Sequence, residues 1–513
     1  MATESREASA EAPLDAIVDN IVSGRTTGVL ALSQWARGGS AIGDAAGPGS
    51  IVRAGSALNR LDRRVSASRL EVSLGATGGT GVWAFEPVRA PSDGGNASIV
   101  ARLANETGGV FFEGAARGGD GGLGASFAHG GDASLDVEIE TRGDGADILF
   151  DSSFPIRGGD SDLYGTSAGG TAGNAVSRSV ATALGDSAVE VFDQAAGGQG
   201  SRSGSARSFA SGANAGSRRV HVSSIAESGQ IVAGDGAIDR GTARSEAHGF
   251  SPAGEVDVEA RATSNPNWAG SYLLSDRWSG GLAVAVATAD GSASRASAEA
   301  SGMTGAVGEP AVAARAGAHG QGSGSIETRA TSGSAGPSEP MGLGTGVSAS
   351  VEGIHARTGE WGRGEIDIRA DRAGPDIVLG GELEFFGVSY LNPTSALFVS
   401  FLAIDLDDDD FATLAVRIDD GDEALLARSF DDAASARAFF ASPLSIAALL
   451  QGLPEPTSPL HGLMVSVEGT GVSAKTDFHL ALAVGRNVVP EPGVATLIAV
   501  GLVLLGFRRA GEA

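Results

Sequence analysis

The stretches GEVDVEARATS (residues 254–264) and GSIETRATS (residues 324–332) share one pattern, a glycine followed by small or apolar residues that alternate with polar or charged ones. Alternation with a period of two is typical of a β-strand with one buried face. Related stretches begin at four further glycines, Gly185, Gly216, Gly291 and Gly364. The six glycines stand 31, 38, 37, 33 and 40 residues apart in order. Spacings of this size predict a solenoid-like β-repeat, although their irregularity also fits a low-complexity sequence in which short alternations recur by chance.

The composition favours thin, repetitive β structure over a dense globule. Glycine accounts for 79 of the 513 residues, and only 5% of the residues are aromatic. The usual share of glycine is ~7%, so this chain has roughly twice as much. Because 42% of the residues are nevertheless hydrophobic, the chain is too apolar for wholesale disorder.

The charge and the absence of cysteine exclude several classes of function. The formal net charge is −26, which disfavours a nucleic-acid partner because phosphate backbones are themselves negative. Without cysteine the chain has no disulfides, no thiolate metal ligands and no cysteine nucleophile. The remaining motifs are equally uninformative about catalysis: the seven histidines are scattered, and the sequence has no nucleotide-binding loop and no G-x-S-x-G nucleophile turn. We therefore expect a protein that is not an enzyme.

Changes in composition and in the hydrophobic pattern divide the chain into four parts. Residues 1–65 are predicted to be a poorly ordered or partly helical leader, and residues 66–375 a Gly/Ala/Ser-rich β-repeat region. Hydrophobic bulk returns in residues 376–487, where alternating segments and a helix over 431–440 predict a β-sandwich. Residues 488–513 form a tail. The predicted fold class is thus mainly β, a solenoid-like repeat region followed by a β-sandwich and a C-terminal transmembrane helix.

The tail combines a proline hinge, an apolar stretch and a basic end. Pro490 and Pro492 cannot continue a strand or a helix interior, so the segment around them is predicted to be extended and exposed. Residues 494–507 carry no charge over 14 positions. As a helix they extend about 21 Å, against about 30 Å of hydrocarbon, and Arg508 and Arg509 suit the cytoplasmic side of a membrane. The alternative is a helix buried in a protein core.

The order of these parts resembles the PEP-CTERM sorting signal of exported bacterial proteins. The similarity covers Val489, Pro490, Glu491 and Pro492, the apolar helix and the Arg508–Arg509 stop. The resemblance implies a membrane-anchored precursor that an exosortase cleaves near the Pro-Glu-Pro triplet on the way to the cell surface or extracellular matrix. It also implies a bacterium that makes exopolysaccharide. The chain departs from the family in having Gly493 where Ser or Thr is usual, and in showing no N-terminal signal peptide.

A cluster of carboxylates is the strongest candidate for a ligand site. The sequence IDLDDDDF places Asp405, Asp407, Asp408, Asp409 and Asp410 close together near the end of a predicted strand. Calcium takes six to eight such oxygen ligands, but the stretch does not match an EF-hand loop. It therefore predicts either a calcium site or a solvated acidic turn.

One aromatic cluster admits two interpretations. Trp268, Tyr272 and Trp278 lie close together in a region that is otherwise poor in aromatic residues. They form a local hydrophobic core or, if exposed, a surface on which sugar rings stack. We expect a surface- or matrix-directed structural or adhesive protein. An enzyme acting on exopolysaccharide and a calcium-dependent adhesin are the alternatives.

Overall fold

A computed structural model describes most of the chain. The described residues are 14–41, 54–81, 92–122, 128–152, 155–161, 170–230, 241–264, 282–303, 312–319, 324–333, 338–340, 346–354, 360–370, 374–386, 398–408, 410–420, 423–445, 449, 462–472 and 476–485. Side-chain contacts are described for residues up to 300 and again, with gaps, from 398 onward.

The described residues form β-strands and one α-helix, labelled in chain order. The strands of the first half are β1 Ala16–Asp19, β2 Val29–Arg37, β3 Ala57–Val65, β4 Arg69–Thr77, β5 Ala97–Asn105, β6 Gly109–Arg117, β7 Ala133–Thr141, β8 Ile148–Asp151, β9 Ile156–Arg157, β10 Ala175–Ala183, β11 Val189–Ala196, β12 Ala206–Asn214, β13 Val220–Glu227, β14 Ala243–Phe250 and β15 Glu255–Thr263. The second half contains β16 Ala283–Asp290, β17 Ala293–Met303, β18 Val312–His319, β19 Gly324–Gly333, β20 Ser338–Pro340, β21 Gly346–Ile354, β22 Glu360–Ala370, β23 Gly374–Phe386, β24 Phe398–Asp405, β25 Thr413–Asp420, β26 Glu423–Phe430, α1 Ala433–Phe440, β27 Leu444–Ser445, β28 Gly462–Val472 and β29 Asp477–Gly485.

The fold is a β-solenoid made of two parallel sheets. Each coil contributes one strand to sheet A, which runs β1-β3-β5-β7-β10-β12-β14-β16-β18, and one to sheet B, which runs β2-β4-β6-β8-β11-β13-β15-β17-β19. Neighbouring strands of each sheet in this region are parallel, and they are aligned residue by residue. The predicted solenoid-like β-repeat is therefore confirmed.

Five of the six repeat stretches found in the sequence are successive coils. Each of the five leads into one of five adjacent strands of sheet B. The stretches begin at Gly185, Gly216, Gly254, Gly291 and Gly324, and the strands are β11, β13, β15, β17 and β19 in the same order. The stretch from Gly364 does not belong to the series, because it lies in β22, an antiparallel strand of sheet A. The solenoid therefore excludes chance recurrence as the explanation for the first five.

The irregular spacing of the repeats arises at one edge of the coils. Between the sheet A strand and the sheet B strand of one coil the turn is short, residues 66–68 after β3 and residues 106–108 after β5. The connection between a sheet B strand and the next sheet A strand varies in length. Residues 78–96 form a long connection, and residues 197–205 form a short one. Insertions at that edge change the spacing in sequence without disturbing the register of the strands.

The core lies between the two sheets and becomes thinner along the chain. Alternate strand residues point inward and are almost fully buried, as the period of two requires. The early coils bury large side chains such as Leu61, Phe112 and Phe150, whereas the coils after residue 240 bury mainly alanines such as Ala260 and Ala285. Glycines and alanines let the sheets of the later coils approach closely.

The predicted leader is wrong for the described residues of 1–65. These residues include β1, β2 and β3, which belong to the first two coils of the solenoid. The strands were overlooked because β3 carries Arg60, Asp62 and Arg64 at outward positions and one buried asparagine, Asn59, at an inward position. Such a strand lacks the continuous apolar alternation that marks the later repeats.

The C-terminal strands continue both sheets and pair in antiparallel form, except that β23 joins β19 in parallel. Sheet A goes on as β21-β22-β29-β24-β27 and sheet B as β23-β28-β25-β26, so the predicted boundary at residue 376 falls inside β23. Val399, Ile418, Val465 and Phe478 from facing strands form a second core, which α1 joins through Phe440. The predicted helix over 431–440 is confirmed as α1, with Asp432 at its N-cap. Among the residues that the structure describes, no helix has both the length and the apolar character needed to cross a membrane.

Candidate functional surfaces

A ladder of glycines closes the edge of the coils where the long connections begin. The Gly55 N–H donates to the Gly39 carbonyl at 2.8 Å, Gly79 to Gly55 at 2.9 Å and Gly95 to Gly79 at 2.8 Å. The same zigzag continues at 2.8–2.9 Å through Gly119, Gly131, Gly159, Gly173, Gly198, Gly204 and Gly229. Its members alternate between the end of a sheet B strand and the start of a sheet A strand, so the ladder joins the two sheets. We call it the glycine seam.

The glycine seam leaves no room for side chains. An ideal Cβ on Gly95 would lie 1.9 Å from the carbonyl oxygen of Gly55, and one on Gly79 would lie 2.0 Å from that of Gly39. Only glycine allows the backbone of one coil to approach that of the next so closely at this edge. The high glycine content of the sequence therefore has a specific structural cause.

A column of polar side chains runs beside the seam and fixes the register of the coils. The Asp132 N–H donates to Asn96 Oδ1 at 2.9 Å, and the Asn174 N–H donates to Asp132 Oδ1 at 2.7 Å. The column as a whole consists of Asp15, Ser56, Asn96, Asp132, Asn174, Ser205 and Thr242, the residues just before the sheet A strands. Each side-chain oxygen from Asp15 to Ser205 accepts the backbone N–H of the next member of the column.

The outer face of sheet A carries a lattice of ion pairs. Asp136 and Glu138 on β7 lie between Arg102 on β5 and Arg178 on β10, with nitrogen–oxygen distances from 2.6 to 3.1 Å. Partial burial acts to raise the pKa of Asp136, but hydrogen bonds from Arg102 and Arg178 outweigh it, so the pKa lies below its ordinary value. The ion pairs join three neighbouring coils. The charges of the two arginines and the two carboxylates cancel, so the lattice leaves no free acid or base.

The lattice extends to the short-turn edge of the coils. There Arg64 Nε lies 2.9 Å from Glu106 Oε1, and Arg142 contacts both Glu106 at 3.4 Å and Glu140 at 2.9 Å. A hydrogen bond to Glu140 and the nearby charge of Glu106 raise the pKa of the Arg142 guanidinium. These pairs are half-exposed, so each one stabilises the fold only weakly.

The outer face of sheet B is more acidic and less compensated. Glu113 on β6 lies directly beside Asp151 on β8 in the parallel register. Neighbouring parallel strands lie about 4.8 Å apart, so two carboxylates of like charge are held close together. Within the described part of the chain, neither carboxylate forms an ion pair.

A histidine and two acids follow on the same face. Glu190, His221 and Asp257 are aligned side by side on β11, β13 and β15. His221 Nδ1 lies 3.3 Å from Asp257 Oδ2, which also receives Arg219 Nη2 at 2.9 Å. These residues lie on the outer face of sheet B, where Glu190 is exposed and the side chains of His221 and Asp257 are 23% and 22% exposed.

A fully buried carboxylate lies among the described residues of the solenoid interior. Asp193 on β11 accepts hydrogen bonds of 2.6 Å from the hydroxyls of Ser177, Ser179 and Ser208. Ser224 and Ser245 continue this polar chain into the next coils. Burial raises the pKa of Asp193 above its ordinary value, although the serine hydroxyls act in the opposite direction. We call this group the serine cage.

The predicted aspartate cluster is partly explained by local contacts. Asp405, Asp407 and Asp408 are exposed, while Asp410 is buried and its Oδ2 accepts the Asp407 N–H at 2.7 Å. Asp409 lies outside the described residues.

Two further contacts of this loop lead to neighbouring elements. Asp408 Oδ1 lies 3.1 Å from Arg437 Nη2 of α1, and the Asp410 carbonyl accepts the Thr476 hydroxyl at 2.7 Å. In the ranges described above, no group of three or more histidine, aspartate or glutamate residues is arranged to hold a metal ion. Calcium binding at this loop stays a prediction.

The sorting tail lies outside the described residues. This holds for Val489, Pro490, Glu491 and Pro492, for Arg508 and Arg509, and for the whole predicted transmembrane helix. The aromatic cluster of Trp268, Tyr272 and Trp278 also lies outside them.

Sequence reasoning missed the glycine seam, the ion-pair lattice and the serine cage. The stretch SLDVEIE at residues 134–140 did show acids at alternate, outward positions, but nothing in it identifies Arg102 and Arg178 as their partners. No protein-family model, curated protein or solved structure matches this chain.

Proposed function

We propose that this chain is a structural or adhesive protein, without enzymatic activity, that is directed to the cell surface or extracellular matrix. Its body is a rigid stack of coils, and residues 376–487 act as a β-sandwich that ends the stack. Its tail, residues 488–513, is a PEP-CTERM signal whose helix anchors the precursor in the membrane. An exosortase cleaves the tail at Pro490-Glu491-Pro492.

The ion-pair lattice on sheet A carries the structural part of this proposal. Asp136 and Glu138 are each bonded to arginines on both neighbouring strands, so their charges serve cohesion between coils. Repeats that stack in register in this way present extended surfaces on which a partner can bind. Exopolysaccharide is the partner that best fits the exposed polar faces in the proposed location, and nucleic acid is disfavoured by the net charge of −26.

The sorting part is tested by replacing Pro490, Glu491 and Pro492 with alanine in a bacterium that has an exosortase. We expect the variant to stay in the membrane fraction as an uncleaved precursor. Gly493→Ser is the matched control, since serine is usual at this position in the family and the variant should be sorted like the unaltered chain. A triple-alanine variant that reaches the surface in normal amount would exclude the proposed signal.

An exopolysaccharide-acting enzyme is the second candidate, favoured by the adjacent carboxylates of Glu113 and Asp151. Retaining glycosidases hold two carboxyl groups about 5–5.5 Å apart, which is close to the spacing of neighbouring strands. The test is a panel of polysaccharides with the unaltered chain and with Glu113→Gln and Asp151→Asn. Hydrolysis that both variants abolish would replace the structural proposal, whereas no hydrolysis of any polysaccharide supports it.

Calcium is the proposed ligand if the protein is an adhesin. Asp405, Asp407 and Asp408 are exposed at the end of β24, where a cation can reach them. Calcium that binds only the folded chain must raise the melting temperature. We expect this rise to be lost in Asp405→Asn/Asp407→Asn, and a melting temperature that calcium does not change would exclude the site.

A further inference from the structure

The N-terminal end of the solenoid is an incomplete coil. Strand β1 has four residues and covers only the first part of β3, which has nine. The inward residues Ala16 and Leu30 are only partly buried, whereas their neighbours in the next coil, Ala57 and Leu70, are 2% and 0% exposed. The described residues therefore leave the end of the hydrophobic core without a complete covering layer.

Strand β2 at this end lacks the usual protection of an edge strand. In the described part of the chain its outer edge pairs with no other strand, although it is nine residues long. Its sequence VLALSQWAR has one charge, Arg37 at its end, and no proline. The end also exposes large apolar side chains, with Ile17 at 69%, Val29 at 57% and Trp35 at 53%. Natural proteins usually block such edges with charges, proline, bulges or a covering element, because an open edge pairs with another chain.

The opposite end of the molecule does have this protection. Its edge strand β27 is only two residues long, and β26 carries Glu423 and Arg428. Helix α1 packs near this end and buries Ala436 and Phe440 in the second core. The open N-terminal edge is therefore a property of one end alone.

The charge of the N-terminal end differs from that of the whole molecule. Residues 14–37 contain Asp15, Asp19, Arg25 and Arg37, so their formal charges cancel. The complete chain carries a net charge of −26. A neutral, apolar end on a strongly acidic molecule lets two copies approach there without strong repulsion.

We propose that two copies of this chain join end to end through β2, with a twofold axis perpendicular to the sheets. The axis makes the two β2 strands antiparallel, and centring it on Ser33 places Ala31 opposite Trp35 and Val29 opposite Arg37. No like charges then face each other, and sheet B continues into sheet B of the second copy. The contact is isologous, as in most dimers of identical chains.

The largest contact area that this end can offer is close to the lower bound of stable dimers. A strand of nine residues is about 30 Å long, and two sheets lie about 10 Å apart. With side chains included, the end is about 20 Å thick, so each copy buries about 600 Å² and the pair about 1,200 Å², the lower bound of specific interfaces. End-to-end pairing also doubles the length of the proposed scaffold, but it does not depend on where the protein is sorted.

The mass of the full chain in a mild detergent, measured by light scattering after gel filtration, tests this proposal. The unaltered chain should be a dimer at micromolar concentration. Ala31→Lys/Trp35→Lys should be a monomer, because the twofold axis places the new lysines opposite each other. Ala115→Lys is the matched control, since Ala115 lies on the same face two strands inward, and it should leave the mass unchanged.

Cross-linking provides a second readout that does not require the dimer to be broken. The chain has no cysteine, and Ser33 lies on the axis, so oxidised Ser33→Cys should form a covalent dimer. Ser73→Cys, at the equivalent position on β4, should not. Circular dichroism identifies any variant that fails to fold, and the Ser33→Cys cross-link then replaces the lysine variant as the test.

Two outcomes overturn the proposal: a monomeric unaltered chain, and a dimer whose mass the folded lysine variant does not change. If the chain is a monomer, protection of the β2 amides from hydrogen exchange would show that another segment of the same chain covers the edge.

Discussion

At the scale of single residues, the glycine seam depends on the absence of side chains at particular positions. In the seam, the backbone of Gly55, Gly79 and Gly95 bridges the two sheets at every coil. The sequence shows only that glycine is abundant. The structure shows which glycines are irreplaceable and which are incidental.

We expect Gly95→Ala to destabilise the solenoid strongly. Its Cβ would lie 1.9 Å from the Gly55 carbonyl oxygen, and a backbone atom cannot move aside as a flexible side chain can. Overpacking typically costs about 1–3 kcal/mol, and a clash with backbone lies at the upper end or beyond. Gly28→Ala is the control, since its Cβ would meet only Thr26 Oγ1 at 3.5 Å. Equal melting temperatures for the two variants would contradict the role of the seam.

The serine cage makes a single-residue prediction about pH. Because burial raises the pKa of Asp193, the folded chain binds a proton at this site more tightly than the unfolded chain. The contribution of Asp193 to stability is therefore most favourable below the unfolded pKa of about 3.9, and it declines as the pH rises through the higher folded pKa.

Asp193→Asn removes this titration while retaining a side chain that hydrogen-bonds to serine. We expect the melting temperature of the variant, relative to that of the unaltered chain, to increase as the pH is raised from about 4 to about 7. The difference between the two chains isolates this site from other carboxylates. Asp136, for example, has a lowered pKa and changes stability in the opposite direction. A difference that does not depend on pH would show that Asp193 does not titrate in this range.

At the scale of elements, helix α1 shows how local chemistry fixes a boundary. The helix begins after Asp432, whose Oδ1 accepts the Ser435 N–H at 2.7 Å. This bond satisfies one of the N–H groups that a helix start leaves without a partner. It also lowers the pKa of Asp432, because the backbone donor stabilises the charged form.

Asp432→Ala should therefore lower the urea midpoint of the C-terminal part at neutral pH. Since the pKa is lowered on folding, the stabilisation is present above the unfolded pKa and is lost as the pH falls through the folded pKa. The effect of the substitution should shrink accordingly in acid. Asp431→Ala, one residue before the cap, is the control and should have little effect. If both variants behave alike, general charge near the helix start, and not the cap, is responsible.

At the scale of the whole molecule, stability should decrease along the solenoid. The first coils bury large side chains such as Leu61 and Phe112, and the later ones bury alanines such as Ala260 and Ala285. Fully burying a large apolar side chain stabilises by about 1.5–3 kcal/mol, and an alanine contributes much less. Because each coil contacts mainly its neighbours, this difference is felt locally.

We expect hydrogen exchange to reveal this gradient. Backbone amides of β5 and β7 should exchange more slowly than those of β14 and β16, once the rates are corrected for intrinsic exchange. The strands are matched in class, since all four belong to sheet A and have neighbours on both sides. Uniform protection along the solenoid would mean that it unfolds as one cooperative unit.

The sequence determined the local features of this protein. Alternation in GEVDVEARATS and its relatives identified five strands of sheet B, and the acids before residues 433–440 located the helix. Both are signals carried by residues close together in the chain. The leader was misassigned because the alternation in β3 is interrupted by charges and by Asn59.

Only the tertiary structure decided which distant residues meet. Arg178 donates a hydrogen bond to Asp136, 42 positions away in the sequence, and Asp193 accepts hydrogen bonds from the hydroxyls of serines 14 to 16 positions away. The connections between coils vary in length, so no fixed spacing in the sequence reveals these partners. Their alignment is imposed by the parallel hydrogen bonds of two sheets and by the glycine seam, which joins the coils from Gly39 to Gly229.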